Sequence, residues 1–470
     1  MSIFRNHLPI MGASGQSTGY TINQSIRFDE GNNAYMHRTP SGESNRRTWT
    51  WSSWLKHSNT STNGFHNIWT ARSGANDYFE FAKEVSDAGV NYYDIINKIS
   101  SSTGLRLVTT AGFRDPSAWY HVVMVSDTTQ AQAANRFRFY VNGERITDFS
   151  TETYPSQNYD TYINTTNAHQ IGAYNAGSGY MMDGYMADVN FIDGYAYGPE
   201  FFGEFKEDTD IWTPIKYSGS YGTNGFYLKG QNSSALGDDS SGNNNDFTTS
   251  GMAAHDQITD SPTHNFATYN SVGANDTYSS STVGLTNGNL EFDSNGGSSL
   301  KVVGLTIDNN MLEGYKWYFE IVLTGSSFNT TIGFRNADNG DDTPSVEIES
   351  DGQIKKDSGN VGSATGGFSA GDIFGIRLDW TDSASRKISF YKNNTIVTGE
   401  QTFSASSSGF IFYARESGSG VHHLNMGQNG TFNGNKTAQG NSDANGIGDF
   451  YYAVPSGHFA ISHKSLNLIS

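Results

Sequence analysis

Paired carboxylates are the first side chains in this sequence that could do chemistry. Cleaving a glycosidic bond needs two carboxyl groups across a cleft, about 5–5.5 Å apart for retention of the sugar configuration or about 6.5–9.5 Å for inversion. The nearest approximations are Asp183 with Asp188, and Glu347 with Glu349. The first two are five residues apart and would point to opposite faces of a strand, whereas the second two share a face that a solvated sheet surface explains more simply. The sequence therefore favours a protein that is not an enzyme.

Oxygen ligands cluster in the stretch 236–246, where they could suit a calcium ion. Calcium binds carboxylate, amide and backbone oxygens, and the stretch offers them at Asp238, Asp239, Asn243, Asn245 and Asp246. The spacing departs from the EF-hand loop, which needs Gly at position 6 and Glu at position 12. A calcium site and a plain polar linker both stay open, and calcium is the one cofactor that the sequence suggests.

Histidine and cysteine do not form a transition-metal or nucleophilic site. The 12 histidines are scattered, and the adjacent pair His422 and His423 would point to opposite sides of a strand. The chain contains no cysteine, which excludes disulfides, thiolate metal sites and cysteine nucleophiles.

Two loops combine aromatic rings with amide and acidic side chains, which are residue types that bind sugars. Such binding needs only exposed rings for stacking and polar groups for the sugar hydroxyls. The alternative is that tyrosine is simply common in β-proteins. The candidate residues for a glycan or a protein partner are Tyr174, Asn175, Tyr180, Asn336, Asp338, Asn339 and Asp341.

Composition limits the class of protein that can present these residues. The chain has 470 residues, with Lys+Arg 29 against Asp+Glu 47 and a net charge of −18. An acidic chain without basic blocks does not suit nucleic-acid binding, and no apolar run approaches the roughly 20 residues that cross a bilayer. A 13% aromatic content and 53 Gly favour a folded β-protein rich in turns. Residues 1–20 lack the apolar core of a signal peptide, so we expect synthesis in a cytoplasm without export by that route.

Alternating aromatic and polar residues predict antiparallel strands in both halves. The clearest predicted strands are 48–56, 119–125, 136–141, 184–191, 317–322, 373–380, 387–391 and 410–413. Tight turns are predicted at Asn142-Gly143 and Asn393-Asn394. Within the first half, 81–100 is predicted to be a short helical or irregular insertion. The core is predicted to include Trp54, Trp119, Trp317 and Trp380.

These patterns predict an all-β protein with two antiparallel β-sandwich domains. The predicted segments are an N-terminal docking arm at 1–20, a first sandwich at 21–204, a polar connector at 205–289, and a second sandwich with a C-terminal tail at 290–470. The connector contains mostly Asn, Ser, Asp and Gly over 231–250, which cannot bury enough apolar area for a core of their own. The arm is either a floppy terminus or a segment ordered only against a partner.

Several motifs resemble known families. Residues 21–200 resemble laminin-G-like, concanavalin-A-like jelly-roll modules through Trp54-Leu55-Lys56, the pair of strands 119–123 and 139–143, and 183–189. Residues 290–430 resemble a SPRY (B30.2-type) domain through 314–320, Ile332-Gly333-Phe334, 371–375 and Phe390-Tyr391-Lys392-Asn393. The order of these modules resembles virion-associated proteins of tailed phages, especially marine ones.

The resemblance implies a structural protein of a phage virion, either a tail fibre or a head fibre. Lectin-like sandwiches would then face a host surface glycan or receptor, and the arm at 1–20 would dock to other virion proteins. A homo-oligomer is expected, as a trimer if the protein is a fibre. The alternatives are a capsid decoration protein without glycan binding and, less favoured, a polysaccharide depolymerase.

Overall fold

The computed structural model describes residues 19–58, 64–85, 91–175, 180–270, 284–293, 301–303, 305, 312–336, 344–362, 366–404 and 410–469. The described residues are almost all β-structure, so the predicted fold class is confirmed. The chain divides into two compact units, Ser17–Thr263 and a second one that holds His264–Ser470. Residues 205–263, which the sequence analysis set apart as part of a connector, fall within the first unit. Most of the predicted arm, 1–18, lies outside the described residues.

The first unit is built from short antiparallel strands. In chain order they are β1 (Ser25–Phe28), β2 (Tyr35–Arg38), β3 (Thr48–His57), β4 (Gly64–Arg72), β5 (Tyr78–Val85), β6 (Asn91–Ile99), β7 (Ser102–Thr109), β8 (Trp119–Asp127), β9 (Phe137–Val141), β10 (Glu144–Ile146), β11 (Phe149–Thr153), β12 (Ala168–Ile171), β13 (Gly184–Asp193), β14 (Gly203–Phe205), β15 (Trp212–Pro214), β16 (Phe226–Leu228), β17 (Thr248–Ser250) and β18 (Gln257–Ile258). One short helix, α1 (Ala133–Arg136), lies between β8 and β9.

Two sheets of the first unit pack face to face. Sheet A has the order β10-β9-β8-β3-β13-β1-β18, and sheet B has the order β11-β7-β6-β5-β4-β12-β2-β17. Alternation along β3 sends Trp49 and Trp51 inward. There the Trp51 and Trp69 rings stack with centroids 4.3 Å apart, and Trp49 meets Trp69 edge-on at 5.6 Å. The predicted aromatic stripe therefore forms the core between the sheets.

The prediction of a helical or irregular insertion at 81–100 is wrong. Residues 78–85 and 91–99 form β5 and β6, which pair with each other in the middle of sheet B. The stretch Glu80–Glu84 contains Ala, Lys and Glu, which are good helix formers. Pairing with β4 and burial of Phe79 and Phe81 against the core override that preference.

The outer face of sheet A is covered by the residues that follow β13. We call residues 195–263 the cover segment. The Lys56 ammonium, on the outward side of β3, forms a buried ion pair with Asp260 at 2.7 Å, and the Trp119 indole donates to the same carboxylate at 3.1 Å. The Trp212 indole donates to His121 Nδ1 at 3.0 Å. Sheet A is therefore closed on both faces.

The cover segment also explains where two of the predicted core tryptophans lie. Trp54 and Trp119 are buried as expected, but both lie outside the cluster between the sheets. The Trp54 ring lies against the His121 ring, tilted by 32° with centroids 4.8 Å apart, on the face that the cover segment closes. Their burial was predicted, whereas the layer that buries them was not.

The second unit is a second sandwich. Its strands are β19 (Gly284–Thr286), β20 (Glu291–Asp293), β21 (Lys301–Val303), β22 (Lys316–Gly325), β23 (Thr330–Asn336), β24 (Ser345–Glu349), β25 (Ile354–Lys356), β26 (Gly359–Asn360), β27 (Ile373–Asp379), β28 (Lys387–Lys392), β29 (Thr395–Ile396), β30 (Gln401–Thr402), β31 (Phe410–Glu416), β32 (Gly420–Asn425) and β33 (Phe459–Ala460), followed by helix α2 (His463–Ile469).

Two sheets enclose the second core. Sheet C has the order β19-β20-β32-β22-β27-β28-β29, with β30 on β28 and β33 on β22, and sheet D has the order β21-β31-β23-β24-β25-β26. The predicted core residues Trp317 and Trp380 are buried between them. Phe450 of the tail joins the same cluster.

Both predicted tight turns have the expected backbone. Asn142 and Gly143 have φ values of 49° and 81°, and Asn393 and Asn394 have φ values of 49° and 62°. Positive φ at both central residues is the type I′ geometry that joins antiparallel strands. In the part of the chain that the structure describes, no helix has both the length and the apolar character to cross a membrane.

Candidate functional site

The outer face of sheet B is lined by aromatic and charged side chains. Tyr78 lies directly between its cross-strand neighbours Arg72 and Lys98. The Arg72 guanidinium lies 6.0 Å from the centroid of the Tyr78 ring, and the Lys98 ammonium lies 5.6 Å from the same centroid. We call this surface, with Tyr174, Tyr180, Glu80 and Asp94, the open face.

The predicted first loop lies beside these strands. Tyr174 is half-buried, Asn175 is exposed, and Tyr180 is 52% exposed. The Arg72 guanidinium stacks on the Tyr174 ring at 3.7 Å, and Tyr174 meets Tyr180 edge-on at 5.8 Å. The structure therefore brings the two predicted tyrosines together with Tyr78, whose ring centroid is 6.5 Å from that of Tyr174.

Hydrogen bonds from β4 hold both ends of this loop. The Thr70 hydroxyl donates to the Ala173 carbonyl at 2.9 Å. The backbone and side-chain amides of Asn67 both donate to the Tyr180 carbonyl at 3.1 Å. These bonds fix the backbone at Ala173 and Tyr180, which lowers the ordering entropy that binding at these two positions would cost.

Two carboxylates form the floor of the open face. Residue 80 pairs with 96 and residue 82 with 94, so Glu80 and Asp94 are diagonal neighbours on one face. Burial, together with the charge of Asp94, raises the pKa of Glu80 to about 7. Burial also raises the pKa of Asp94, although Arg106 opposes this through an ion pair at 2.9 Å. Near neutral pH the Glu80 carboxyl group can therefore both accept hydrogen bonds from hydroxyl groups and donate hydrogen bonds to them.

Most of this surface was not predicted from the sequence. Tyr78, Glu80, Asp94 and Lys98 lie in or beside the stretch that was predicted to be an irregular insertion. Alternation of Phe79 and Phe81 with polar neighbours was the signal that could have revealed them.

The second predicted loop is described only at its beginning. Asn336 is half-buried at the end of β23, where its backbone amide donates to the Pro344 carbonyl at 2.9 Å. Asp338, Asn339 and Asp341 lie outside the described residues. The structure therefore describes no geometry for this loop as a site.

The predicted calcium ligands hold their own loop together. The Asp239 carboxylate accepts hydrogen bonds from the backbone amides of residues 227, 241 and 245. Asp246 accepts from the Asp239 amide at 2.8 Å, and Asp238 accepts from the Asn232 side chain at 3.2 Å. Asn243 and Asn245 donate to the carbonyl of residue 225 at 2.9 and 2.8 Å. These bonds fix the polar stretch within the cover segment.

The residues that the structure describes contain no group of three or more His, Cys, Asp or Glu side chains placed to hold a metal ion. His422 and His423 lie on opposite sides of β32, as predicted: His422 faces Glu416, and His423 faces Glu291.

The carboxylates considered for hydrolysis are buried or bonded to neighbouring side chains. Asp188 is buried and accepts a hydrogen bond from the Tyr20 hydroxyl at 2.8 Å. Burial raises the pKa of Asp183 to about 8. Glu347 and Glu349 share a face of β24, as predicted, and Glu349 forms an ion pair with Lys355 at 2.6 Å.

Comparison with known families places the fold of the first unit. Residues 29–196 match the model of the concanavalin A-like lectin/glucanases superfamily. The first unit therefore has the concanavalin-A-like jelly-roll fold that the sequence resemblance implied. A comparison with curated proteins finds no match.

Solved structures give more distant similarities. The heptameric SAP-like pentraxin from Limulus polyphemus is 16% identical with a TM-score of 0.28, covering 38% of this chain and 80% of the pentraxin chain. The SPRY domain of human HERC1 is 13% identical with a TM-score of 0.26, covering 33% and 96%. Tailspike protein 2 of Escherichia coli O157:H7 bacteriophage CAB120 is 13% identical with a TM-score of 0.26, covering 40% and 28%. These TM-scores support no functional conclusion.

Proposed function

We propose that the first unit binds a glycan at the open face without cleaving it. The observation that supports this proposal is the convergence of Tyr78, Tyr174 and Tyr180 beside the two floor carboxylates. Aromatic rings offer apolar surface to the faces of sugar rings, and carboxylates accept hydrogen bonds from sugar hydroxyls. A lectin-like fold that presents these groups on a rigid sheet is suited to binding.

The choice of sheet B follows from the cover segment. A glycan needs a sheet face that side chains of the chain itself do not occupy. Sheet A carries the cover segment, with Lys56 and Asp260 buried beneath it. On sheet B the side chains of Arg72, Glu80 and Lys98 are only half-buried, whereas Tyr78 and Asp94 are buried beneath them, so Tyr174, Tyr180 and Glu80 would make the direct contacts.

Binding without hydrolysis is the simpler chemistry for these side chains. Retaining and inverting mechanisms both need one carboxyl group free to attack or to activate water. Asp94 is tied to Arg106, and Glu349 is tied to Lys355. A depolymerase would instead release reducing sugars, with loss of that activity in Asp183→Asn.

At the level of the particle, the proposal is a virion surface protein of a tailed phage that attaches to host glycans. Residues 1–20 would dock it to other virion proteins, and the net charge of −18 would limit non-specific adhesion. Antibody against residues 290–430 tests the location on imaged particles. Labelling of the tail tip or of projecting fibres supports attachment, whereas uniform shell labelling without host adsorption supports capsid decoration.

The binding proposal is tested on an array of defined glycans with the full-length protein. We expect Tyr180→Ser to lower the signal of the bound glycans at least fivefold, because it removes the most exposed ring of the face. Ile396→Ser is the matched control, because Ile396 is 45% exposed in the second unit. Equal binding by wild type and Tyr180→Ser, or binding lost in the Ile396 control, would contradict the proposed site.

A further inference from the structure

Three aromatic rings of the cover segment stack on one another away from the open face. The Tyr195 and Tyr197 rings are parallel within 3° with centroids 5.4 Å apart, and Phe201 lies against Tyr197 at 4.2 Å. We call Tyr195, Tyr197 and Phe201 the aromatic ladder. Next to it in the chain, Phe205 packs edge-on against Trp212 at 4.9 Å.

The ladder concentrates exposed apolar surface in a short stretch of chain. Among the described residues, the exposed large apolar side chains are Tyr180, Tyr195, Phe201, Phe205, Val361, Ile396 and Ile411. Tyr195 is 43%, Phe201 41% and Phe205 44% exposed, all within eleven positions. A monomeric soluble protein rarely leaves several rings together in water, so such a patch marks a binding surface.

The backbone beneath the ladder is held firmly by sheet A. The Thr50 hydroxyl, on the outward side of β3, donates to the Tyr195 carbonyl at 2.9 Å and accepts from the Tyr197 amide at 2.9 Å. The Phe202 carbonyl accepts from the Ile215 amide at 3.0 Å, which fixes the ladder to the β14–β15 hairpin. The rings are therefore presented in one arrangement, as a stacking platform requires.

The chain segment that begins within the ladder is acidic, which restricts the ligand. Over 200–216 the exposed acidic side chains Glu200, Glu204, Glu207, Asp208 and Asp210 outnumber the lysines Lys206 and Lys216. Lys206 is moreover paired with Glu204 at 2.6 Å. A phosphate, sulfate or uronate group would be repelled, whereas uncharged hydroxyl groups can donate to these carboxylates.

We infer that the aromatic ladder is a second glycan-binding surface, specific for an uncharged polysaccharide. Terminal ring faces at Tyr195 and Phe201 would stack on sugar rings, and the exposed Glu200 carboxylate and the tyrosine hydroxyls would bind sugar hydroxyls. The inference shares with the proposed function only the class of ligand, because the ladder lies on the sheet A side and the open face belongs to sheet B.

A second copy of this chain is the less favoured occupant. Two ladders brought face to face would bring the acidic segments 200–210 of both copies towards each other, and like charges oppose such an isologous interface. An uncharged glycan meets no such repulsion. Self-association through the ladder is therefore an outcome that the experiment must be able to show.

The test is depletion of the full-length protein by suspensions of cellulose, chitin, insoluble mannan and starch, with soluble polygalacturonate as the anionic comparison. The main variant is the double substitution Tyr195→Ser with Phe201→Ser. Phe201→Leu is a second variant that keeps the apolar volume and removes the flat ring, and it guards against misfolding of the double variant. Ile396→Ser is the exposed apolar control, and Tyr180→Ser tests the open face separately.

We expect at least one of the four uncharged polysaccharides to deplete the wild type, with at least tenfold weaker binding in the double variant and weaker binding in Phe201→Leu. Binding in Tyr180→Ser should persist on the same polysaccharide. The inference is overturned if all four fail to bind the wild type, if the double variant binds like the wild type, or if only polygalacturonate binds. Concentration-dependent self-association in sedimentation that Phe201→Leu abolishes would assign the ladder to a protein interface instead. If Tyr180→Ser loses binding on the glycan array while the double variant still binds the polysaccharides like the wild type, this inference is refuted and the proposed function stands.

Discussion

At the scale of single residues, the Glu320 carboxylate connects the tail of the second unit to sheet C. It is fully buried and accepts hydrogen bonds from the Tyr318 hydroxyl at 2.9 Å and the Asn425 side chain at 3.2 Å. The backbone amides of Tyr451 and Tyr452 donate to its two oxygens at 2.8 Å. Burial raises the pKa of Glu320 to about 7, although these donors oppose the rise. Such a saturated carboxylate is structural.

Replacing Glu320 with Gln should destabilise the second unit. The new amide nitrogen would face donors instead of accepting from them, so we expect a loss of about 2–4 kcal/mol in the free energy of unfolding. Urea titration followed by near-ultraviolet circular dichroism measures it. Glu349→Gln, which removes only a partly exposed ion pair, should cost less than about 1 kcal/mol. Equal effects of the two substitutions would refute this role of Glu320.

Glu80 gives a prediction about pH. Its pKa is about 7 in the folded protein and 4.5 for an ordinary Glu side chain, so the folded state binds more protons than the unfolded state between these values. Stability therefore falls as pH rises from about 4.5 to 7 and stays reduced above that range. Glu80→Gln removes the ionisation, so we expect it to be more stable than wild type at pH 8, by up to about 3 kcal/mol, and close to wild type at pH 4.5.

Unfolding titrations at pH 4.5 and pH 8 check this expectation. Glu152→Gln, on the exposed edge strand β11, provides the control for removing a negative charge. A stability gain that is the same at both pH values would show that Glu80 is not held in an unfavourable ionised state.

At the scale of elements, the sequence predicted the tight turns correctly but did not predict β5 and β6, the two middle strands of sheet B. Asn142-Gly143 needs positive φ at both positions, and this local requirement fixes the turn. β5 and β6 form a meander with their chain neighbours β4 and β7, and Phe79 and Phe81 are buried against the core. Helix-forming residues around Ala82 and Lys83 masked the alternation of Phe79 and Phe81, so the floor of the open face was not predicted.

Gly143 connects the β9–β10 turn to the cover segment. A Cβ placed there would meet the six-membered ring of Trp212, and φ is 81°. Gly143→Ala should therefore cost about 2–4 kcal/mol, since it combines left-handed strain with displacement of a packed indole. Gly194→Ala shares a positive φ of 90° but has open space around it, and should cost about 1 kcal/mol. Unfolding free energies and tryptophan emission measure both, and equal costs would argue against the Trp212 contact.

At the scale of the whole molecule, the division into two sandwich units was predicted from the aromatic stripes. The role of residues 205–263 was harder to predict, because the ion pairs that hold this segment to the first sandwich join residues far apart in the sequence. Arg27 pairs with Asp256 at 2.8 Å and Lys56 pairs with Asp260 at 2.7 Å, both across more than 200 residues of sequence. Such long-range ion pairs leave no periodic signal.

These buried pairs predict where the chain can be cut. A fragment of residues 17–263 should fold and unfold cooperatively, because it keeps both acidic partners. A fragment of residues 17–204 would leave Arg27 and Lys56 without them and expose Trp54 and Trp119, so we expect it to bind the dye ANS or to aggregate. Circular dichroism and dye binding distinguish the two fragments. Cooperative folding of the shorter fragment would show that the cover segment is dispensable.

The most direct measurement of the central claim is hydrogen–deuterium exchange of the full-length protein with and without a saturating oligosaccharide chosen from the glycan array. Protection is expected in β4, β5 and β6 and in the peptides containing Tyr174 and Tyr180, and mass analysis should recover the oligosaccharide intact. Protection confined to the second unit, or a shortened oligosaccharide, would contradict a non-catalytic glycan site on the outer face of sheet B.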